Sequence, residues 1–475
     1  MKVLLVQPDY PLDHKYNPKN VFVLPPLGLE CIAAHVRDIA ETRIVDDRLH
    51  GLSWIGAEIQ RFRPDFVGIS CCFSMGIARV LEIARVAKQH GATTVLGGWH
   101  PTMLVEEIMS SPFVDIVVRS EGELTFRELV ERGTPVGVAG LSYKQNGRVI
   151  TNPDRPLADM NQFKLPARDL RANSSRNVYG IMGYPIDIIE SSRGCPYKCS
   201  FCAIHKFYRN TYRHRSVQHI LQELRQIRKN CRSAYFIDDN FMVDMRHVAR
   251  LCDGIIKARL NMVLMTTTRA DTVVKHPEVF KKMAEAGFIL VFIGMESFSN
   301  KSLEELNKQL HFQQTTAAIK ILHDLGFIIQ GNVILGASLS DTEADLQRTI
   351  KISQHLEVDV PTFTILTPLP GTDLMRDVKE KDLLIKTDWR DFNWVTPTMR
   401  YQNLTSGQLV KYHLKAYEEV PFFSRSGQRI VRMLRARRLS FYIARFCNKE
   451  TIKGFVSMVV TGIHRFFNKR RPAAR

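Results

Sequence analysis

Short apolar runs separated by stretches of helical spacing recur along most of this chain, and their alternation is broken once. Before the break lie Val3–Val6, Phe66–Ser70, Thr94–Gly98 and Asp115–Val118, with helical spacing over Gly28–Val36, Ile77–Gln89 and Val105–Met109. Strands alternating with helices predict an α/β architecture, a parallel sheet with helices on both faces. Ligands on such sheets sit at the carboxyl ends of the strands, where glycine-containing loops admit a bulky group to the backbone.

The break is a polar stretch bearing Pro153, Pro156, Pro166 and Pro185, which reads as a linker. From Ile186 the alternation resumes. Strands are expected at Asp187–Glu190, Ala234–Ile237, Val263–Thr267, Leu290–Gly294, Ile328–Leu335 and Pro361–Leu366. The clearest helices between them are Val217–Lys229, Pro277–Ala286 and Thr315–Leu325. Six such units predict a partial (β/α)6 barrel with its chemistry on the loops after the strands. The expected divisions are 1–150, a linker over 151–185, the barrel over 186–400, and a basic helical C-terminal extension over 401–475.

At 475 residues, with 45% hydrophobic and 24% charged residues, the chain is globular and too long for one core. It contains no apolar run of about eighteen residues, so no spanning helix is expected. The run from Met1 to Val6 is interrupted too soon, at Pro8 and Asp9, to read as a secretory signal. Nine cysteines without such a signal predict a reducing, cytoplasmic setting, where clustered thiols serve metal or redox chemistry. The net charge of +18 is unevenly spread. From Pro421 to Arg475, fourteen Lys/Arg face one acidic residue, Glu450, so the tail carries +13 and the preceding 420 residues carry +5. Nucleic-acid binding is therefore not expected of the body, and the tail contains no nucleic-acid module.

The segment Cys195-Pro196-Tyr197-Lys198-Cys199-Ser200-Phe201-Cys202 places three thiols directly after the first barrel strand and Gly194. Three thiolates hold three irons of a [4Fe–4S] cube and leave the fourth open to a small-molecule ligand. Two alternatives stay open: a Cys₃His zinc site completed by His205, and buried structural thiols. Zinc fingers are small autonomous modules, whereas this loop opens an α/β domain.

The C-x₃-C-x₂-C spacing, with Phe201 before the last cysteine, resembles the radical S-adenosylmethionine (SAM) superfamily over roughly residues 186–400. The resemblance implies that Cys195, Cys199 and Cys202 ligate the cluster and that the amino and carboxylate groups of SAM chelate the open iron. One electron then cleaves SAM to methionine and a 5′-deoxyadenosyl radical that abstracts hydrogen from carbon. It further implies a SAM amino-group segment at Phe236–Phe241 containing Asp238, a carboxylate donor in Arg269, and ribose contact through Glu296 in Gly294–Ser297. The segment Gly331–Gly336 resembles the strand beside adenine, and Thr367–Thr372 a closing loop. Read without the resemblance, each of these charged residues is an ordinary helix cap or loop residue.

In the first domain, Ser70-Cys71-Cys72 followed after twenty-four residues by Gly97-Gly98-Trp99-His100-Pro101-Thr102 resembles the Rossmann-like cobalamin-binding fold. Ser70, Gly97, Gly98 and His100 are the implied cobalamin contacts. The glycines would leave clearance for the dimethylbenzimidazole tail. Pro25–Leu29 and Glu121-Gly122-Glu123 are similar to segments of the cobalamin-dependent radical SAM branch. The alternative is a Rossmann-like accessory domain without ligand. The Asp-x-His-x-x-Gly motif that supplies a lower cobalt ligand is absent: Asp47-Arg48-Leu49-His50 has the wrong spacing, and His14 reads as a solvated loop residue. Binding without a protein ligand to cobalt is expected. His100 reads as loop-ordering, and Cys71 and Cys72 as packing residues.

Residues 427–471 interleave basic residues such as Arg429, Arg432 and Arg435 with apolar ones such as Phe441, Phe455 and Phe466. Basic amphipathic helices of this kind lie on anionic membrane surfaces, which would make the protein peripheral to the inner face of the membrane; helices docked on the barrel are the alternative. Cobalamin with a radical SAM cluster implies methyl transfer to an unactivated carbon. In layout the chain resembles bacteriochlorophyllide side-chain methylases and hopanoid methylases. The implied partners are a hydrophobic substrate, either a tetrapyrrole or a polycyclic lipid, and a low-potential electron donor of ferredoxin or flavodoxin type. Competing expectations are an oxidative cyclase with the same cofactors and a non-enzymatic cobalamin sensor. A methylthiotransferase is disfavoured, because no second set of three cysteines precedes Cys195.

Overall fold

In the computed structural model, which describes residues 1–10, 22–171, 179–181 and 184–420, the two stretches of alternation form two separate sheets. The first has the spatial order Glu41–Asp46, Lys2–Gln7, Phe66–Ser70, Thr93–Gly97, Ile116–Val118, Leu141–Gln145, Arg148–Thr151. The first five strands are parallel, and the last two add as an antiparallel hairpin. Strand order reverses between Lys2–Gln7 and Phe66–Ser70, the place where open α/β sheets bind ligands. The Lys2–Gln7 strand is buried on both faces, hence its unbroken apolar run. Leu4 and Val6 pack with Ile55, Ile59 and Ile83 on one side; Val3 and Leu5 pack with Leu29, Phe126 and Leu129 on the other.

Two elements here have no clear apolar signature. Glu41–Asp46 is an edge strand, paired on one side only, with an apolar core in Ile44 and Val45. Its Arg43 lies 4.1 Å from the Phe62 ring centroid and donates to Glu58. The Glu123–Arg132 helix is rich in charge, but Phe126, Leu129 and Val130 face the core at helical spacing.

The second sheet has six parallel strands in chain order: Asp187–Ile189, Ser233–Phe236, Val263–Thr268, Phe288–Glu296, Ile328–Leu335 and Val360–Ile365. The first and last strands are its edges, so this is the partial barrel that the spacing predicts. Helices Val217–Asn230, Met245–Lys257, Pro277–Ala286, Phe312–Asp324 and Glu343–His355 intervene. The Phe312–Asp324 helix starts three residues before the expected Thr315, because His311 and Gln314 form a capping box. The Ser406–Glu419 helix covers the last edge strand. There the Tyr417 hydroxyl accepts from the Phe363 N–H at 3.0 Å and faces its carbonyl at 3.1 Å, which occupies edge groups otherwise open to pairing.

The basic tail over 421–475, its expected amphipathic stretch, and His14 lie outside the described residues. No helix among the described residues is long and apolar enough to cross a membrane.

Candidate active site

The loop after the first barrel strand is held from several sides. Gly194 has φ +88, and a Cβ there would stand 2.1 Å from the Thr211 carbonyl oxygen, so only glycine fits. Its N–H donates to Asp239 at 2.8 Å. Further along, Ser200 N–H donates to the Leu306 carbonyl and Ser200 carbonyl accepts from Leu374 N–H, while Asn307 Nδ2 donates to the Lys198 carbonyl at 2.7 Å.

Burial pushes the Cys202 thiol up to about 12. It raises Cys199 too, against the pull of Lys308 and Arg269. The free Cys199 and Cys202 thiols are therefore protonated at neutral pH, and ligation displaces their protons. Asn240 Nδ2 lies 3.7 Å from Cys195 Sγ, and its buried Oδ1 has no partner among the described residues. Among the described residues, no three His, Cys, Asp or Glu side chains are close enough to share a single ion. A cube takes one thiolate per iron, and three thiols on one short loop supply three, so the donor set fits an iron–sulfur cluster.

Beyond this loop the barrel gathers a compact charged group that includes Arg269 and Glu296. Glu296 ends the fourth strand with φ +60, and its carboxylate folds back over Gly294, where a Cβ would stand 2.3 Å from Oε1. Lys308 Nζ donates to Glu296 Oε1 at 2.7 Å, and Asn332 Nδ2 reaches Oε2 at 3.4 Å. Burial would lower the Lys308 ammonium, but Glu296 and Cys199 together hold it above its ordinary range. Arg269 donates to Asp271 at 2.9 Å and to the Lys308 and Gln309 carbonyls at 2.8 and 2.9 Å. Its guanidinium lies 3.7 Å from the Tyr197 ring centroid, against the cluster loop.

Asp238 is placed differently. It accepts from the Ser191 N–H at 2.7 Å, the Ser191 hydroxyl at 2.8 Å and the Ser192 N–H, and burial pushes it up to about 7. The sequence does not mark Lys308, since a lysine in Asn307-Lys308-Gln309 looks solvated. Here it is 7% exposed, between two left-handed residues.

In the first domain, a cavity of about 280 Å³ runs down from the carboxyl ends of the strands. Leu5, Gly68, Val95, Val118 and Phe126 form its depth, with Gly28 and Cys31 on the adjoining helix. Ser70, Gly97 and Gly98 line it. The two glycines differ in their reasons. A Cβ at Gly97 would meet only Val118, at 3.7 Å, and would narrow the slot. Gly98 has φ +106, and its Cβ would stand 2.8 Å from the Cys71 carbonyl, so backbone crossing demands that glycine rather than slot clearance.

His100 is not on the slot wall. It is fully buried, with Nδ1 2.9 Å from the Ser74 hydroxyl and its ring edge-on to Trp389 at 5.2 Å. Burial lowers it to about 4, leaving it neutral, and Nε2 has no partner among the described residues. Cys71 packs in the core, whereas Cys72 reaches the slot mouth. The apolar depth and glycine wall fit a flat aromatic tail. The mouth is completed by Glu190, Arg193, Phe207 and Tyr208 of the barrel. A larger crevice of about 960 Å³, beside Arg37, Lys164 and Lys229, contains none of the candidate residues.

A model of the radical SAM superfamily matches residues 189–352, and one of the B12 binding domain matches residues 19–130. An uncharacterized methyltransferase of Pyrococcus horikoshii is 33% identical over 88% of this chain and 92% of its own length. The anaerobic magnesium-protoporphyrin IX monomethyl ester cyclase of Rubrivivax gelatinosus is 26% identical, covering 88% and 77%. The hopanoid C-3 methylase of Methylococcus capsulatus is 28% identical, covering 88% and 81%. Among solved structures, the cobalamin-dependent radical SAM enzyme OxsB superposes with a TM-score of 0.72 at 18% identity, over 98% of this chain and 75% of that one, and so shares the fold. The chain belongs to the radical SAM methyltransferase family that carries a B12-binding domain, whose cofactors are a [4Fe–4S] cluster, S-adenosylmethionine and cobalamin.

Proposed function

We propose that the chain methylates an unactivated carbon of a hydrophobic substrate held between the slot mouth and the cluster loop. One observation carries this reading: a single cavity is lined by Ser70, Cys72 and Gly98 of the first domain and by Glu190, Arg193 and Tyr208 of the barrel. The cobalamin slot therefore opens toward the strand end that carries the thiols. Bound there, the cofactors supply a hydrogen-abstracting radical and a transferable methyl group, with a second SAM restoring the methyl.

The residues divide the remaining work. Cys195, Cys199 and Cys202 hold three irons. Glu296 accepts from the SAM ribose, and the cationic side formed by Arg269 and Lys308 receives its carboxylate. Asp238 fixes the strand ends beside the SAM amino group. Ser70, Gly97 and Gly98 admit the cobalamin tail, and His100 orders the loop beneath it. The protein's contribution is orientation and exclusion of water.

The hopanoid methylase and the magnesium-protoporphyrin IX monomethyl ester cyclase among the relatives support a polycyclic lipid or tetrapyrrole as substrate. A bacteriochlorophyllide side chain is the first candidate. The cyclase also favours a second reading, ring closure without methyl transfer. The +13 tail supports delivery at an anionic membrane surface, and the electron donor is a low-potential ferredoxin or flavodoxin. The test is anaerobic reconstitution with SAM, cobalamin and a low-potential reductant, offering tetrapyrrole and hopanoid substrates. Methylation gives a product heavier by one CH₂, with 5′-deoxyadenosine and S-adenosylhomocysteine. Ring closure without an added methyl supports the cyclase, and no SAM cleavage at all supports a sensor.

A further inference from the structure

The slot and the cluster loop share one set of ionic contacts, centred on Arg193. This residue is 7% exposed and stands two positions before Cys195. Its Nε donates to Glu190 at 2.7 Å, Nη1 to Glu121 at 2.9 Å and Nη2 to Glu123 at 2.5 Å. The guanidinium lies 4.9 Å from the Phe163 ring centroid. Carboxylates thus occupy all three of its nitrogens. Glu121 also accepts from Arg213 at 2.6 Å, and Arg213 is the ribbon partner of Arg193.

The three carboxylates come from two places. Glu190 directly follows the first barrel strand. Glu121 and Glu123 flank Gly122 in the turn that opens the Glu123–Arg132 helix, and all three of these residues line the slot. Burial alone would raise Glu123, but Arg193 brings it below its ordinary range. On the other side of Arg193 there is little slack, because Gly194 is fixed by its left-handed backbone and by Asp239. A ligand that shifts the Glu121–Glu123 turn must therefore shift Arg193, the residue that leads into the cysteine loop.

We propose that Arg193 is a positioning residue that couples the two cofactor sites, so that filling the slot and building the cluster favour each other through Glu121 and Glu123. The inference rests on the placement of cobalamin and cluster given above. Such linkage is reciprocal in binding free energy.

The test measures hydroxocobalamin affinity by absorbance on the full chain, with and without its reconstituted cluster. The wild type is expected to bind about five-fold or more tightly when the cluster is present. In Arg193→Lys the ratio is expected to fall toward one while the melting temperature of the cobalamin-free protein is kept. Glu121→Gln, which keeps Arg193 and its bonds to Glu123 and Glu190, is expected to reduce the ratio as well, and it serves if Arg193→Lys does not fold. A wild-type ratio of one, or an unchanged ratio in the folded variants, overturns the coupling alone. A wild type that binds no cobalamin in either form overturns the cofactor reading itself.

Discussion

Lys308 and Glu296 form a buried ion pair, Nζ to Oε1 2.7 Å, at the carboxyl edge of the barrel. Their side chains are 9% and 8% exposed, so neither charge is well solvated without the other. Removing one partner of such a pair costs about 3–5 kcal/mol, while replacing both costs much less. Lys308→Met should therefore destabilise the cluster-free protein more than the double variant Lys308→Met, Glu296→Gln does. Urea unfolding of the two variants and the wild type checks this; equal losses in both variants would contradict it.

The two slot glycines predict opposite behaviours. Gly98→Ala places a Cβ 2.8 Å from a carbonyl oxygen at φ +106, and should cost roughly 1–3 kcal/mol of stability. Gly97→Val should fold with near wild-type stability but bind cobalamin at least about ten-fold more weakly, an effect of about 1.4 kcal/mol. Melting temperature and cobalamin titration separate the two outcomes.

How much of this was legible beforehand follows from burial. Strands buried on both faces, such as Lys2–Gln7, announce themselves as continuous apolar runs, and the three cysteines are unmistakable by spacing. The Glu41–Asp46 edge strand and the charge-rich Glu123–Arg132 helix have weaker patterns, because half of their residues meet water or ion partners. Lys308 was hidden for a different reason. Nothing local marks a loop lysine as buried; only the approach of Glu296, Arg269 and the cluster loop does so. The Gly-Gly pair suggests slot clearance at Gly98, yet the contact that requires this glycine is with the Cys71 backbone.

Asp238 supplies a pH test. Its folded-state value of about 7 lies above the ordinary 3.8, mainly through burial. A carboxyl shifted upward contributes stability that is full below the unfolded value and is lost as pH rises through the folded one. The stability of the wild type relative to Asp238→Asn should fall as pH rises from about 4 to about 7, and then level off. Unfolding of the cluster-free proteins across that range measures the difference, and a pH-independent difference would contradict the assignment.

Cys252 offers a control for the thiol assignments. It is fully buried in the barrel core, away from the cysteine loop. Cys252→Ala should leave bound iron unchanged, with a modest loss of stability from the removed side chain. Any one of Cys195→Ser, Cys199→Ser or Cys202→Ser should lower iron and labile sulfide and abolish SAM cleavage. Iron retained in all three variants would place the cluster elsewhere.

The most direct measurement of the whole account is the iron, sulfide and cobalamin content of anaerobically reconstituted protein, compared with a variant in which Cys195, Cys199 and Cys202 are all alanine. The wild type should hold the four irons of one cube and one cobalamin per chain, and the triple variant should lose the iron while still taking up cobalamin. A wild type that remains free of iron, or a triple variant with undiminished iron, would contradict it.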